Sequence, residues 1–180
     1  MKMMIIKNIA FLFWLLGCQN EAEVLLNKTK NRPMVQLKHL EVNGMTVEWV
    51  FRKNRVFFTL TAPTEGWVAL GFNEKDDIVN TNLIFCRVKS GKVELSDHYV
   101  VAVGNHQPTE KLGGKSAFDD ILGDEKGGKT TVSFSMPIKS NDKWHYDLIE
   151  GSKRWFICAF SAEDDFNHHS RMREHREAKL

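Results

Sequence analysis

Short runs of β-branched and aromatic residues, separated by turn-forming residues, constrain the fold of this 180-residue chain more than any other feature. Residues 45–51 and 56–62 form one such pair around a polar connection, which predicts a hairpin. No stretch sustains apolar residues at the three- and four-residue spacing of a long amphipathic helix. The sequence therefore predicts an all-β fold, either a sandwich or a barrel. The other predicted strands lie at residues 66–72, 82–88, 93–103, 130–138 and 154–160.

The first 17 residues have the composition of a signal peptide. A positively charged start precedes an apolar run at residues 9–16, which is shorter than the roughly 20 residues that span a membrane. The sequence Leu-Leu-Gly-Cys that ends at Cys18 resembles the lipobox of bacterial lipoproteins, in which the cysteine is lipidated. We therefore expect removal of residues 1–17, a polar tether over 18–32, and a membrane-anchored lipoprotein of the bacterial cell envelope, either periplasmic or surface-exposed. The alternative is a secreted protein that is cleaved nearby.

The remainder of the chain reads as one folded domain, predicted over residues 33–170. Within it, residues 110–129 are rich in glycine and charge, which predicts a connection with one helical turn. Residues 171–180 mix both signs of charge, and we expect a solvated tail or one short helix there.

The charge balance argues against nucleic acid as a partner. Lys and Arg number 25 against 23 Asp and Glu, and residues 1–17 contain two of the lysines and no acid. The chain after the signal peptide is therefore formally neutral, whereas a nucleic-acid surface needs an excess of basic residues. The membrane, reached through the lipid on Cys18, is the partner that the sequence predicts.

Three cysteines leave one pair after lipidation of Cys18. In an oxidising compartment Cys86 and Cys158 would form a disulfide. The alternative is two buried free thiols that pack as small apolar side chains. Both alternatives stay open, because a disulfide requires a close approach of the two Cα atoms that sequence does not reveal.

Six segments, taken in order, resemble the DOMON domain, which is named after the N-terminal region of dopamine β-monooxygenase. The resemblance implies an immunoglobulin-like antiparallel β-sandwich whose members bind haem b or sugars. The segments are GWVALGF (66–72), DIVNTNLIF (77–85), SDHYV (96–100), QPTEKLGG (107–114), TTVSFSMPI (130–138) and WFICAFSAEDDFNHHS (155–170).

Among haem-binding members of the family, iron lies between a methionine and a histidine, and the resemblance assigns the histidine to His169. Adjacent residues on an extended chain point to opposite sides, so His168 is not expected to share a small pocket with His169. At the methionine position this sequence has Ile78 or Val79, neither of which can bind iron. Haem b would then be held by His169 alone, or a second histidine would be needed. His98 and His106, the candidates for that role, lie in segments that the family does not use for ligation.

A haem site through His169 would need an apolar wall and a cation for the propionates. The cation candidate is Arg171, since its guanidinium matches carboxylate geometry. The aromatic residues of the apolar wall could instead fill an ordinary sandwich core. The predicted pocket residues are Trp67, Phe72, Ile78, Ile84 and Phe166.

Two further functions remain open beside haem binding and electron transfer with a redox partner. Trp144 and Tyr146 lie beside Asp142 and His145, and aromatic faces with planar polar groups are typical of carbohydrate or small-molecule sites. A protein-interaction domain is the other alternative. Since the sequence has no nucleotide loop, nucleophile elbow or zinc-protease motif, we expect a non-enzymatic domain.

Overall fold

The computed structural model describes residues 36–180, all as strands and loops apart from one short 3-10 helix. The predicted signal peptide, the lipidated Cys18 and the tether lie outside these residues. No helix of the described part is long and apolar enough to cross a membrane. The strands are β1 (Lys38–Val42), β2 (Met45–Arg52), β3 (Arg55–Ala62), β4 (Val68–Asn73), β5 (Asn82–Lys89), β6 (Lys92–Ala102), β7 (Asn105–Pro108), β8 (Asp119–Glu125), β9 (Thr130–Pro137), β10 (Lys153–Phe160) and β11 (Met172–Lys179), with the helix at Thr109–Leu112.

The strands form two antiparallel sheets, which confirms the predicted β-sandwich. One sheet has five strands in the order β1-β2-β3-β9-β8, and the other has six in the order β11-β10-β4-β5-β6-β7. The predicted hairpin is β2–β3, with Val50 opposite Phe57 and Arg52 opposite Arg55. The strands predicted at residues 82–88 and 93–103 form a second hairpin, β5–β6.

The main core lies between the sheets and follows strand alternation. In β3 every second side chain is buried, and Phe58 lies 5.3 Å, centroid to centroid, from Phe72 of the opposite sheet. Phe72 in turn meets Phe156 of β10 at 5.2 Å, edge to face. Each fully buried phenylalanine contributes about 1.5–3 kcal/mol of hydrophobic free energy, so these rings account for much of the attraction between the sheets.

A second apolar cluster covers the face of the six-stranded sheet that points away from the main core. Every residue of β4 is buried, because one side of the strand faces the main core and the other faces this cluster. We call it the outer cluster, and its buried members are Trp67, Ala69, Leu83, Phe85, Val100 and Ala159.

The sequence predicted a solvated tail or a short helix at residues 171–180, and this prediction is wrong. Met172–Lys179 forms the edge strand β11, which pairs with β10 over eight residues. Its charged side chains are mostly at the surface, while Ala178 and Leu180 are buried in the main core. Edge strands commonly carry charged residues, and those of β11 left no apolar alternation from which the strand could be predicted.

The glycine- and charge-rich connection is also more ordered than predicted. It contains β8, an exposed edge strand paired with β9, and a short 3-10 helix, Thr109–Leu112, stands where one helical turn was expected. The short strands β1 and β7 were missed by sequence reasoning because neither has enough apolar residues to show alternation.

Cys86 and Cys158 are free and buried, so of the two open alternatives the disulfide is wrong and the pair of buried thiols is confirmed. Cys86 lies opposite Val68 and Cys158 opposite Leu70, which puts the whole of β4 between them. Two strand spacings of about 4.8 Å each exceed the roughly 7 Å limit for bridged Cα atoms. Burial raises the pKa of the Cys158 thiol to about 12 and raises that of Cys86 as well.

Candidate functional site

A cavity of about 180 Å³ lies over the outer cluster, and we call it the outer-face cavity. Phe85 of β5 lines this cavity, and its ring centroid lies 5.1 Å from that of Trp67 and 5.5 Å from that of Phe166. Two histidine rings, those of His98 and His106, pack on the same phenylalanine at 5.3 and 5.1 Å. The cavity therefore has aromatic and aliphatic walls with imidazoles at its margin.

The β10–β11 loop, residues 161–171, covers one side of this cavity. Arg87 holds it from β5, because its guanidinium lies 4.5 Å from the Phe166 ring and donates to the Asp164 carbonyl at 2.6 Å. The Trp67 backbone N–H donates to the Glu163 carbonyl at 3.1 Å. The loop is thus fastened to the sheet at both the β4 and the β5 side.

Gly66 permits this fastening. A Cβ atom at this position would lie 2.6 Å from backbone atoms of residues 161–163, closer than real Cβ contacts. A residue with a side chain would therefore push away the start of the loop that carries Phe166, His168 and His169.

His168 and His169 both line the outer-face cavity, contrary to the expectation that only one of them would. The reason is local: the loop turns here, with the His168 N–H donating to the Asp165 carbonyl at 2.9 Å, so the alternation of an extended strand does not apply. Both side chains are exposed, and the His169 carbonyl accepts a hydrogen bond from the Ser161 hydroxyl at 3.2 Å.

The third histidine at the cavity is His106, on β7. Its Nδ1 lies 2.9 Å from Nδ1 of His98, whose Nε2 lies 2.8 Å from the Ser96 hydroxyl. Burial lowers the pKa of both rings, and that of His98 reaches about 4, with His106 lowering it further and the charge of Asp97 opposing the shift. Burial therefore disfavours the protonated form of both imidazoles.

Sequence reasoning set His98 and His106 aside because they lie in segments that the family does not use for ligation. The signal that could have found His106 is the short β6–β7 hairpin. Its register brings His106 opposite Val100, a member of the outer cluster, and cross-strand partners share a face of the sheet.

Three of the five predicted pocket residues, Trp67, Ile78 and Phe166, line the cavity. Phe72 and Ile84 do not, because both face the main core and are fully buried there. Strand alternation decides this: residues 67 and 69 point outward on β4, so residue 72 points inward, and Ile84 lies between the outward-facing residues 83 and 85.

The predicted propionate partner, Arg171, does not line the cavity. Arg173, two residues later on β11, lines it instead. The methionines of the described part are also elsewhere: Met45 and Met136 are buried in the main core and Met172 packs against it. Imidazoles are therefore the metal-binding side chains that residues 36–180 bring to this cavity.

Trp67, which lines the cavity, has a buried polar atom without a partner within residues 36–180. The side chain is 2% exposed, and its indole Nε1–H has no acceptor among the described residues. A buried donor without a partner costs about 1–3 kcal/mol.

A second cavity, of about 510 Å³, lies between the 113–118 loop, the end of β9 and residues 139–146; we call it the polar cavity. Asp142, His145 and Tyr146, from the predicted carbohydrate site, line it. Trp144 does not, because its ring packs edge-on against Tyr99 at 5.1 Å. The Tyr146 hydroxyl donates to the Asn80 carbonyl at 3.0 Å, and burial raises its pKa to about 12.

His145 is held between two carboxylates at the edge of the polar cavity. Its Nε2 lies 2.6 Å from Asp97 Oδ2 and its Nδ1 lies 2.7 Å from Asp142 Oδ1. Burial alone would lower the pKa of His145, but the hydrogen bonds and charges of Asp97 and Asp142 outweigh it and raise the pKa. Both ring nitrogens face carboxylate oxygens, which accept hydrogen bonds, so the arrangement favours the doubly protonated, cationic form of the ring.

Residues 36–180 contain no group of three or more His, Cys, Asp and Glu side chains arranged to hold a bare metal ion. The outer-face cavity therefore lacks the ligand count of a structural zinc site. A cofactor that brings its own equatorial ligands and needs only one or two imidazoles from the protein places a smaller demand on the chain.

The comparisons with known proteins agree with this architecture. The family model of the DOMON domain matches residues 41–161. The cytochrome b domain of pyranose dehydrogenase from Coprinopsis cinerea has a similar fold, with a TM-score of 0.60 and 10% sequence identity over 81% of each chain. No curated protein gives a match to the chain.

Proposed function

Because the chain belongs to the DOMON family, we propose that its outer-face cavity binds haem b, with His169 as an axial ligand. The observation that carries the proposal is the cavity itself, an apolar recess on one sheet face with imidazoles at its margin. The similar fold of a cytochrome b domain supports it. Bound haem would supply a one-electron centre, and we propose that the domain exchanges electrons with a redox partner.

The chemistry of the cavity suits a flat apolar macrocycle with carboxylate edges. Trp67, Phe85 and Val100 offer apolar contact. Arg173 at the cavity supplies the guanidinium that was expected of Arg171. These features support haem rather than a bare metal ion.

The volume of the cavity sets a condition on haem binding. At about 180 Å³ it is smaller than the roughly 300–1,000 Å³ of typical ligand sites. A porphyrin would therefore require outward movement of the β10–β11 loop, which closes the cavity with Phe166. The contacts of Arg87 with this loop would resist that movement.

The test is a hemin titration of the full chain, purified in detergent and followed by absorption. We expect a Soret band that saturates at one haem per chain, and weaker binding by His169→Phe. His39→Phe, on the five-stranded sheet, is the matched control and should bind as the wild type does. A folded protein that stays colourless at saturating hemin would overturn the proposal.

We also propose that the domain works at the surface of an envelope membrane, held by a lipid on Cys18. The lipobox-like sequence before Cys18 supports this position. Metabolic labelling with a fatty-acid analogue should mark the wild-type protein and leave Cys18→Ser unmarked. An unmarked wild-type protein would contradict the anchor.

A second candidate function is binding of a carbohydrate or another small polar ligand in the polar cavity. Its volume of about 510 Å³ and its lining by Asp142, His145 and Tyr146 favour this alternative. Saturation-transfer NMR against a panel of mono- and disaccharides would test it. Ligand signals that weaken in Tyr146→Phe would support the site, and the absence of any signal would exclude these sugars.

A further inference from the structure

We infer that His106 is the second axial ligand of the haem iron, so that this chain has a bis-histidine site where its family has methionine and histidine. This role rests on the proposed haem-binding function, since it concerns the same cavity. It takes the place of the methionine that haem-binding members carry where this chain has Ile78 or Val79.

The first argument is the source of the available ligands. Three histidines line the outer-face cavity, His106, His168 and His169, and no methionine of the described part does. His168 and His169 are neighbours in one loop, with Cα atoms only about 3.8 Å apart. Axial ligands occupy opposite faces of the porphyrin, so two adjacent residues cannot supply both. His106, which comes from β7 and not from the loop, can supply the other face.

The second argument is the position of His106 on the sheet. Its Cα partner is Val100, whose side chain belongs to the outer cluster, and its ring packs on Phe85 at 5.1 Å. The residue is thus fixed by a β-hairpin and an aromatic contact. Sites on strands hold ligand geometry better than sites on loops.

The third argument is the hydrogen-bond chain behind His106. The 2.9 Å contact between the Nδ1 atoms of His98 and His106 requires that one nitrogen carries a proton and the other a lone pair. When His106 is the donor, His98 accepts through Nδ1 and donates from Nε2 to the Ser96 hydroxyl. Nε2 of His106 then has a free lone pair, which is the form that binds a metal.

These hydrogen bonds have the pattern seen at a metal-bound histidine, whose second nitrogen donates to a partner that fixes its tautomer and orientation. If the hydrogen bonds run in the opposite direction, with His98 donating to His106, the proton of His106 lies on Nε2. The two forms differ only in which atom carries each hydrogen, so ligation selects the first without a change in the number of bound protons. His98 is therefore a positioning residue, and His106 is the ligand.

The test compares the spin state of ferric haem in the full chain and its variants by electron paramagnetic resonance and absorption. We expect six-coordinate, low-spin haem in the wild type, without the near-infrared band of methionine–iron coordination. His106→Phe keeps an aromatic ring on Phe85 and should give high-spin haem, and added imidazole should restore the low-spin state. His106→Met should stay low-spin and gain the methionine band. His175→Phe, on the same sheet face but bonded to Asp76, is the control and should match the wild type.

His98→Leu tests the hydrogen-bond chain separately. We expect haem affinity to fall by about tenfold, the effect of removing the partner of a metal ligand, while the low-spin signal persists.

Low-spin haem in His106→Phe without added imidazole would overturn the assignment of His106 and leave haem binding intact. A wild-type protein that binds no hemin would instead overturn the proposed function itself. If His106→Phe does not fold by circular dichroism, His106→Gln provides the same comparison.

Discussion

The Nε2 atom of His145 lies 2.6 Å from Oδ2 of Asp97, and this pair joins the loop that contains His145 to strand β6. The Asp97 side chain is 1% exposed. Its other hydrogen bonds come from Asn82 at 2.8 Å and from the Ser116 hydroxyl at 3.1 Å. Asp97 is therefore a buried carboxylate whose main charged partner is His145.

We predict that His145→Leu lowers the free energy of unfolding by about 3 kcal/mol, because it leaves the charge of Asp97 buried without a counter-charge. Urea denaturation would measure the loss. The double variant His145→Leu/Asp97→Asn removes both charges and should recover part of it. Equal losses in the single and double variants would show that the pair is not coupled.

The same pair predicts a dependence of stability on pH. The pKa of His145 is raised in the folded protein, so its contribution is fully present below the unfolded value of about 6.5 and is lost as pH rises through the folded value. The difference in unfolding free energy between wild type and His145→Leu should therefore shrink from pH 6 towards pH 9. A difference that stays constant or grows over this range would contradict the sign.

Gly66→Ala should displace the β10–β11 loop, because its Cβ would lie 2.6 Å from the backbone of residues 161–163. We predict a loss of about 2 kcal/mol in unfolding free energy, typical of overpacking. Glu65→Ala, at the exposed neighbouring position, is the control. Unchanged stability in Gly66→Ala would show that the loop yields without cost.

The two cysteines of the sandwich should remain reduced and unreactive in the native protein. Cys86 and Cys158 are buried on strands separated by β4, and burial raises both thiol pKa values. We expect a Cys18→Ser variant to show no reactive thiol when native and both thiols in denaturant. Its thermal unfolding midpoint should not change with reductant. A lower midpoint in reductant would indicate a disulfide.

The last residues should contribute to stability as part of the core. Leu180 is fully buried, and its backbone N–H donates to the Ser152 carbonyl at 2.8 Å. We predict that Leu180→Ala lowers the unfolding free energy by about 3 kcal/mol, and that Lys179→Ala, at an exposed position, changes it little. Similar, small effects of both substitutions would mean that the end of β11 frays in solution.

Sequence alone was sufficient for the elements whose local pattern is strong. The alternating β-branched and aromatic residues at 45–62 specify the β2–β3 hairpin, because period-two patterning and turn chemistry act between near neighbours. The family resemblance correctly indicated the sandwich. Alternation on β4 could also have shown that Trp67 and Phe72 face opposite sides, a signal present in the sequence that the pocket prediction did not use.

The tertiary structure decided what depends on partners far along the chain. Residues 172–179 form a strand because they pair with the edge of β10. Their own charged sequence does not predict a strand. Cys86 and Cys158 were kept apart by the position of β4 in the sheet. His106 reached the cavity of His169 through the register of β7 on β6, and sheet order and register arise from long-range packing rather than from local propensity.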